Sequence, residues 1–265
     1  MHTKSDNLWY SFLGNIVSIA VLVFFGGFKA SPYTLFLAFL MGMDHLVTVL
    51  LFTKALQIGP LSISTLISKA IILIVSSLIG PMFFAEELTL TLILGIVCIL
   101  GSMVLITDFK SDKTMSVRWF VLIALNGIIC GFQGLFQKLL VESPYAAEKP
   151  GFTFWSFVFA AAVNLVLLLL SMKTGKKEPI TYKLKGFALF SIVFSGVSAS
   201  ILYVVNLILV EALSTAVFFP INMCSTILLT TLVGVLIFKE RMNRRQIIGF
   251  VFGIFALLLT VGVFG

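Results

Sequence analysis

The sequence predicts an all-α polytopic membrane protein, with about nine transmembrane helices in two inverted repeats. Three observations predict it. Of the 265 residues, 60% are hydrophobic and 11% are charged, and mean hydropathy is +1.14. Soluble domains carry about 25% charged residues. Apolar runs of about twenty residues recur along the chain, each long enough to cross about 30 Å of hydrocarbon as a helix. They do not alternate as β-barrel strands would. Finally, a short motif with Glu and Gly at fixed spacing occurs once in each half.

The first span covers 9–28 and follows a polar start, MHTKSDNLWY, that lacks signal-peptide features. The second covers 33–57 and holds an adjacent Asp44 and His45 at mid-depth. The third covers 60–83 and holds Lys69, roughly 13 Å from its start at 1.5 Å per residue. Intramembrane ionisable residues are costly and are functional candidates. Asp44 or His45 is expected to take up and release a coupling proton. The competing reading is a static Asp44–Lys69 bridge that fixes helix register.

The fourth span covers 88–107, just after Glu86. Glu86 and Glu240 stand at helix entrances, where a carboxylate caps backbone N–H groups and complements the dipole. The fifth span covers 117–141. In it Asn126, Cys130, Gln133 and Gln137 recur at i, i+4, i+7 and i+11, one face of a regular helix. Gly127, Gly131 and Gly134 make an adjoining small-residue edge for close packing. The polar stripe reads either as a cavity wall or as glue between helices.

The remaining spans cover 152–172, 186–210, 213–238 and 246–264. Ser191, Ser195, Ser198 and Asn206 share a face of the seventh, with Tyr203 close by. The serines are expected to bond back to their own helix. Pro220 should kink the eighth span and free carbonyls near Asn222. Trp9, Tyr10, Trp119 and Trp155 fall near span ends and fit an interfacial aromatic belt. Cys98, Cys130 and Cys224 lie in apolar runs and read as packing residues, not as a disulfide or metal framework.

Charge sets the expected orientation. Of the 18 basic residues, 14 lie on the side that holds the N-terminus and the loops after spans 2, 4, 6 and 8. Lys29, Lys138 and Lys149 lie on the other. By the positive-inside rule the N-terminus is cytoplasmic and the C-terminus outside. The net charge of +7 therefore reflects topology, not nucleic-acid binding.

The repeat is concrete. AEELTLTLILG leads into the fourth span and KERMNRRQIIG into the ninth. Glu86 aligns with Glu240 and Gly95 with Gly249, while KALQ at 54–57 echoes EALS at 211–214. The two Glu loops fall on opposite sides of the membrane, so the halves are inverted, as in many secondary transporters. The first repeat is 1–110, with four helices; the second is 111–265, with five. Together they form one membrane domain. On this alignment Asp44 and His45 correspond to the apolar Ile201 and Leu202, so the fold itself does not require the charge.

These elements resemble the drug/metabolite transporter superfamily in its EamA-like branch. The resemblance rests on Ala55-Leu56, Pro60, Pro81, Glu86 and Gly95, and on Ala212-Leu213, Pro220, Glu240 and Gly249. It implies that Glu86, Glu240, Gly95, Gly249 and Pro220 are signatures of the fold. The usual family plan has ten helices in two repeats of five, and on this reading the first helix is lacking here: a natural nine-helix variant, or an N-terminus that was cut or mis-assigned. The resemblance also implies cytoplasmic termini at both ends of a ten-helix chain, and the charge bias favours the reversed placement of the Glu240 loop.

The expected function is secondary active transport, import or export, of a small organic solute: an amino acid, metabolite, drug-like cation or sugar, with coupling to protons. The candidate binding and coupling residues are Asp44, His45, Lys69, Asn126, Gln133, Gln137, Tyr203, Asn206 and Asn222. No GxxxxGK[ST] loop is present, which excludes a one-chain ATP-driven pump. No HExxH site exists, and the two histidines are His2 and His45, so an intramembrane enzyme is disfavoured. The alternative is a non-transporting scaffold or subunit, or an incomplete transporter that needs a partner helix. Expected partners are the lipid bilayer, the solute and coupling protons, with a homodimer as one assembly and no nucleic acid. No cofactor is expected, and the expected location is the cell membrane.

Overall fold

The computed structural model describes residues 4–107, 116–173, 186–237, 239 and 242–261. All its regular elements are helical: α1 (Lys4–Phe25), α2 (Pro32–Ile58), α3 (Leu61–Phe83), α4 (Leu90–Ile106), α5 (Val117–Gly131), α6 (Gln133–Val141), α7 (Lys149–Lys173), α8 (Gly186–Ala212), α9 (Thr215–Leu236) and α10 (Arg244–Thr260). A 3₁₀ turn, Ala146–Glu148, precedes α7. Counting α5 and α6 as one interrupted span gives nine spans among the described residues. Six are long and apolar enough to cross a membrane, and α1 and α4 carry shorter apolar stretches. Val117, Leu90, Phe194 and Val251 are exposed. Such a surface is costly in water and compatible with lipid, so the chain is an integral membrane protein.

Local chemistry explains the boundaries. Gly26 and Gly27 end α1 with φ of 67° and 99°, a conformation open to glycine at little cost. Pro150 sits in the first turn of α7, where its missing N–H costs nothing. Asn243 and Gln246 form a reciprocal capping box that starts α10 at Arg244, two residues before the expected start. The fifth span is less regular than its periodicity predicts. The Phe132 N–H donates to Ile129 O at 2.9 Å, and Leu135 N–H donates to Phe132 O at 2.9 Å. These are tight i→i+3 bonds, and they part α5 from α6.

The chain divides into two compact units, Met1–Leu46 with Phe136–Glu211, and Val47–Leu135 with Ala212–Gly265. Each draws helices from both sequence halves. In the first unit α1 packs along α7. Leu37, Ala38, Met41, Leu140, Phe152 and Leu207 form its buried core. The Ser18 hydroxyl donates to Gly196 O at 2.9 Å, and the Tyr10 hydroxyl donates to Ser195 Oγ at 3.2 Å. The serines of α8 thus serve helix packing, and Ser195 and Ser200 also bond back to carbonyls of their own helix.

In the second unit α4 packs along α10, and α3 along α9. The α4–α10 contact carries the signature of an inverted repeat. A Cβ on Gly95 would come within 2.4 Å of Thr260 Cγ2, and a Cβ on Gly249 within 2.6 Å of Leu105 and 3.0 Å of Ile106. Ile106 and Thr260 both stand eleven residues after the aligned glycine. Residue i of one repeat therefore meets residue j of the other, and j meets i. That is the pattern of a two-fold axis, and here it runs α4 antiparallel to α10. A second mark of the repeat lies in the backbone. The two non-glycine residues with positive φ among the described residues are Ala85 (51°) and Lys239 (56°). Each immediately precedes a signature Glu.

Trp119 departs from the expected belt. It is 2% exposed, its Nε1–H donates to Ser64 Oγ at 2.8 Å, and its ring lies against Gly59, where a Cβ would stand 2.1 Å away. The reason is packing: Ala55, Ile63 and Ile123 bury it between helices. Trp155 keeps its ring NH on Phe28 O at 3.1 Å in an exposed setting.

Candidate functional site

The nine candidate residues divide between the units. Asp44, His45, Gln137, Tyr203 and Asn206 belong to the first, and Lys69, Asn126, Gln133 and Asn222 to the second. Glu240 lies outside the described residues.

In the first unit α2 crosses α7 closely. A Cβ on Gly42 would come within 2.7 Å of Ser156 O. Two and three residues further, Asp44 is 6% exposed and His45 is half-buried. His45 Nδ1 lies 3.4 Å from the Tyr203 hydroxyl, a long contact. The rings of His45, Phe157 and Tyr203 meet edge to face, with centroids 5.1–6.4 Å apart. The structure thus brings His45 and Tyr203 together and adds Phe157, which the sequence reading did not single out. Gln137 is buried in α6, and Asn206 is half-buried in α8.

In the second unit a cavity of about 400 Å³ lies among α3, α4, α9 and α10. Lys69 reaches it from α3, with Thr65 and Ser62 one and two turns nearer the helix start. Thr230 and Thr231 face it from α9, and Gln246 from α10. Leu61, Thr107 and Met242 also line it, close in sequence to the connectors after α2, α4 and α9. The hydroxyls were missed by the sequence reading, although Ser62, Thr65 and Lys69 fall at i, i+3 and i+7, one helical face. Asn126, Gln133 and Asn222 are not among the residues that line this cavity.

Asn126 is 5% exposed and committed at both ends of its amide. Its Oδ1 accepts from Ser68 Oγ at 2.7 Å, and its Nδ2 donates to Thr48 O at 2.8 Å. Beside it Gly127 and Gly131 let α5 close on Ile71 and Val75 of α3. This geometry is that of glue between helices. Asn126→Ala is expected to cost about 1–2 kcal/mol of stability, because the buried Ser68 hydroxyl loses its acceptor. Thermal unfolding of the purified wild type and variant checks the loss. Gln133 and Asn222 are half-buried, and Asn222 O accepts from the Thr226 hydroxyl at 2.7 Å. Pro220 is buried one turn into α9.

Glu86 serves a different helix from the one it leads into. Thr89 caps α4 with its own side chain, accepting from Leu92 N–H at 3.3 Å. The Glu86 carboxylate instead accepts from Thr215 N–H at 3.0 Å, Thr215 Oγ1–H at 2.8 Å and Ala216 N–H at 3.0 Å. These are the first residues of α9, whose N-cap Ser214 makes no side-chain cap bond. Gly80 makes room, since a Cβ there would stand 2.0 Å from Glu86 Oε2.

The model of the EamA-like transporter family matches residues 117–262, more than half of the chain. Among solved structures, one described only as "Crystal structure of protein" shares the fold with a TM-score of 0.75. It covers 98% of this chain and 88% of that chain at 14% sequence identity. At that identity the likeness concerns fold alone. No curated protein matches the chain.

Proposed function

Because the chain belongs to the EamA-like transporter family and is therefore a membrane transporter, we propose that it is a secondary active transporter of a small organic solute, driven by protons. One observation carries the solute part: the cavity of about 400 Å³ in the second unit. Its size falls in the range of small-molecule sites, about 300–1,000 Å³. Its walls combine apolar side chains with hydroxyls and one ammonium group, all on helices of an apolar bundle. Lys69 takes part in binding there.

Asp44 and His45 are proposed as the coupling groups. A buried carboxylate beside an imidazole is a costly arrangement in a membrane helix, and exchange of protons with either side gives it a use. Tyr203 positions the imidazole. Gln133, Gln137, Asn206 and Asn222 are proposed as further polar groups on the solute path. The repeats 1–110 and 111–265 act as one membrane domain in the cell membrane, with the N-terminus cytoplasmic and the C-terminus outside. A cysteine at position 176 should then be labelled only from the cytoplasm.

The test of function is uptake into proteoliposomes under imposed proton and sodium gradients, across amino acids, sugars, organic anions and organic cations. Accumulation of one class under the proton gradient alone supports the reading. Equal uptake with and without every gradient removes coupling. No uptake of any class favours the scaffold.

A further inference from the structure

We infer that the cavity of the second unit selects a small organic anion, one with a carboxylate or phosphate head and an apolar body. This deepens the solute-site reading and rests on its cavity, not on the coupling residues.

Among the described residues that line the cavity, Lys69 is the one charged side chain and none is acidic. The other polar groups are largely committed to the protein. The Thr65 hydroxyl donates to Leu61 O at 2.8 Å, that of Thr230 to Thr226 O at 2.6 Å and that of Thr231 to Ile227 O at 2.8 Å. The Gln246 amide donates to Ile106 O at 3.2 Å and accepts from Asn243 N–H at 3.0 Å. The Lys69 ammonium, with the Ser62 hydroxyl two turns away, remains to hold a ligand head, and it alone of the two carries charge.

The sign of the selection follows from electrostatics. In a partly desolvated cavity two like charges repel strongly. A cationic solute would meet Lys69 with no carboxylate among the described lining residues to offset it. A neutral solute would displace water from the ammonium and return no charge. An anion restores a charge-assisted hydrogen bond, about twice as strong as a neutral one. Leu66, Met103, Ile106, Ile227 and Val235 supply the apolar remainder of the wall, which suits an apolar body.

The test uses four probes of nearly one shape on the purified full chain in lipid nanodiscs: phenylacetate, phenyl phosphate, 2-phenylethylamine and 2-phenylethanol. Binding is read by calorimetry. The expected result is that one or both anions bind, with the amine and the alcohol at least about tenfold weaker. The ratio of the two anions decides between a carboxylate and a phosphate head. Lys69→Gln should weaken anion binding roughly ten- to a hundredfold, while Lys69→Arg should hold it within a few-fold. Amine binding as tight as that of the anions, binding of none of the four, or an unchanged affinity in Lys69→Gln would overturn the inference. The wild-type series decides by itself if Lys69→Gln does not fold. Anion binding without proteoliposome uptake keeps the site and removes transport. Uptake of neutral or cationic solutes with no anion binding does the reverse.

Discussion

Glu86→Ala is expected to lower the stability of the protein by about 2–4 kcal/mol, although Glu86 lies in a loop. The substitution removes one carboxylate that three donors at the start of α9 share. Loss of an N-terminal cap alone costs about 0.5–2 kcal/mol. Loss of a negative charge facing the positive end of a helix adds about 0.3–1 kcal/mol, and up to about 2 where the geometry is partly buried. The backbone N–H groups of Thr215 and Ala216 are left without that partner, and Ser214 does not cap them. Glu86→Gln should fall between wild type and alanine, since the amide keeps one acceptor and loses the charge. Thermal unfolding of the detergent-solubilised protein, with the three versions side by side, measures the order. Equal midpoints for Glu86→Ala and wild type would show that the contact adds nothing. Gly80→Val gives an independent check. Its side chain must displace the same carboxylate, so it should reproduce the loss while leaving Glu86 in place.

That contact also shows where sequence reasoning stops. Glu86 was legible as a capping residue of the fold, because Glu before an apolar run has one common use. Which helix it caps was not legible. Its partner lies 129 residues away in the chain, and a sequence places a side chain only beside its own helix. The spans themselves were legible to within a few residues, since lipid demands long apolar runs and backbone bonds closed within the helix. The repeat was legible for a related reason. Gly95 and Gly249 must both be small for α4 and α10 to touch, so the same spacing is written twice.

The candidate site was legible only in part. Lys69 stood out because a charge in an apolar run is rare. The hydroxyls around it did not, because Ser and Thr bond back to their own helices throughout such bundles. Only the approach of α9 to α3 distinguishes Thr230 and Thr231 from Thr226, which lies outside the cavity lining. Asn126 raised the opposite difficulty. Its polar stripe looks the same whether it faces water or another helix, and the structure sets it against Ser68 and the Thr48 carbonyl. The turn at Phe132 further breaks the regular geometry on which the stripe from Asn126 to Gln137 depended. Trp119 failed for want of a partner: a tryptophan near a span end suits the interface, unless a glycine elsewhere in the chain admits its ring, as Gly59 between α2 and α3 does.

Asp44→Asn is expected to abolish gradient-driven accumulation while leaving the protein folded and able to exchange solute. Asparagine matches aspartate in shape and does not titrate. A coupling group must bind a proton on one side of the membrane and release it on the other, so the variant lacks the chemistry and keeps the volume. The size of the effect follows from the driving force. A difference of one pH unit across the membrane is worth about 1.4 kcal/mol per proton, or about a tenfold concentration ratio for a one-proton carrier, and it drives a proton–anion pair that carries no net charge. Wild type should approach that ratio and Asp44→Asn should fall to about one. Counterflow of labelled solute against unlabelled solute should persist, since it needs no net proton movement. His45→Gln separates the neighbours. If Asp44 alone carries the proton, His45→Gln retains accumulation and shifts its pH profile. If the imidazole is an obligatory relay, both variants collapse to the same ratio. Full accumulation by Asp44→Asn would remove Asp44 from coupling and leave this buried carboxylate with a structural role.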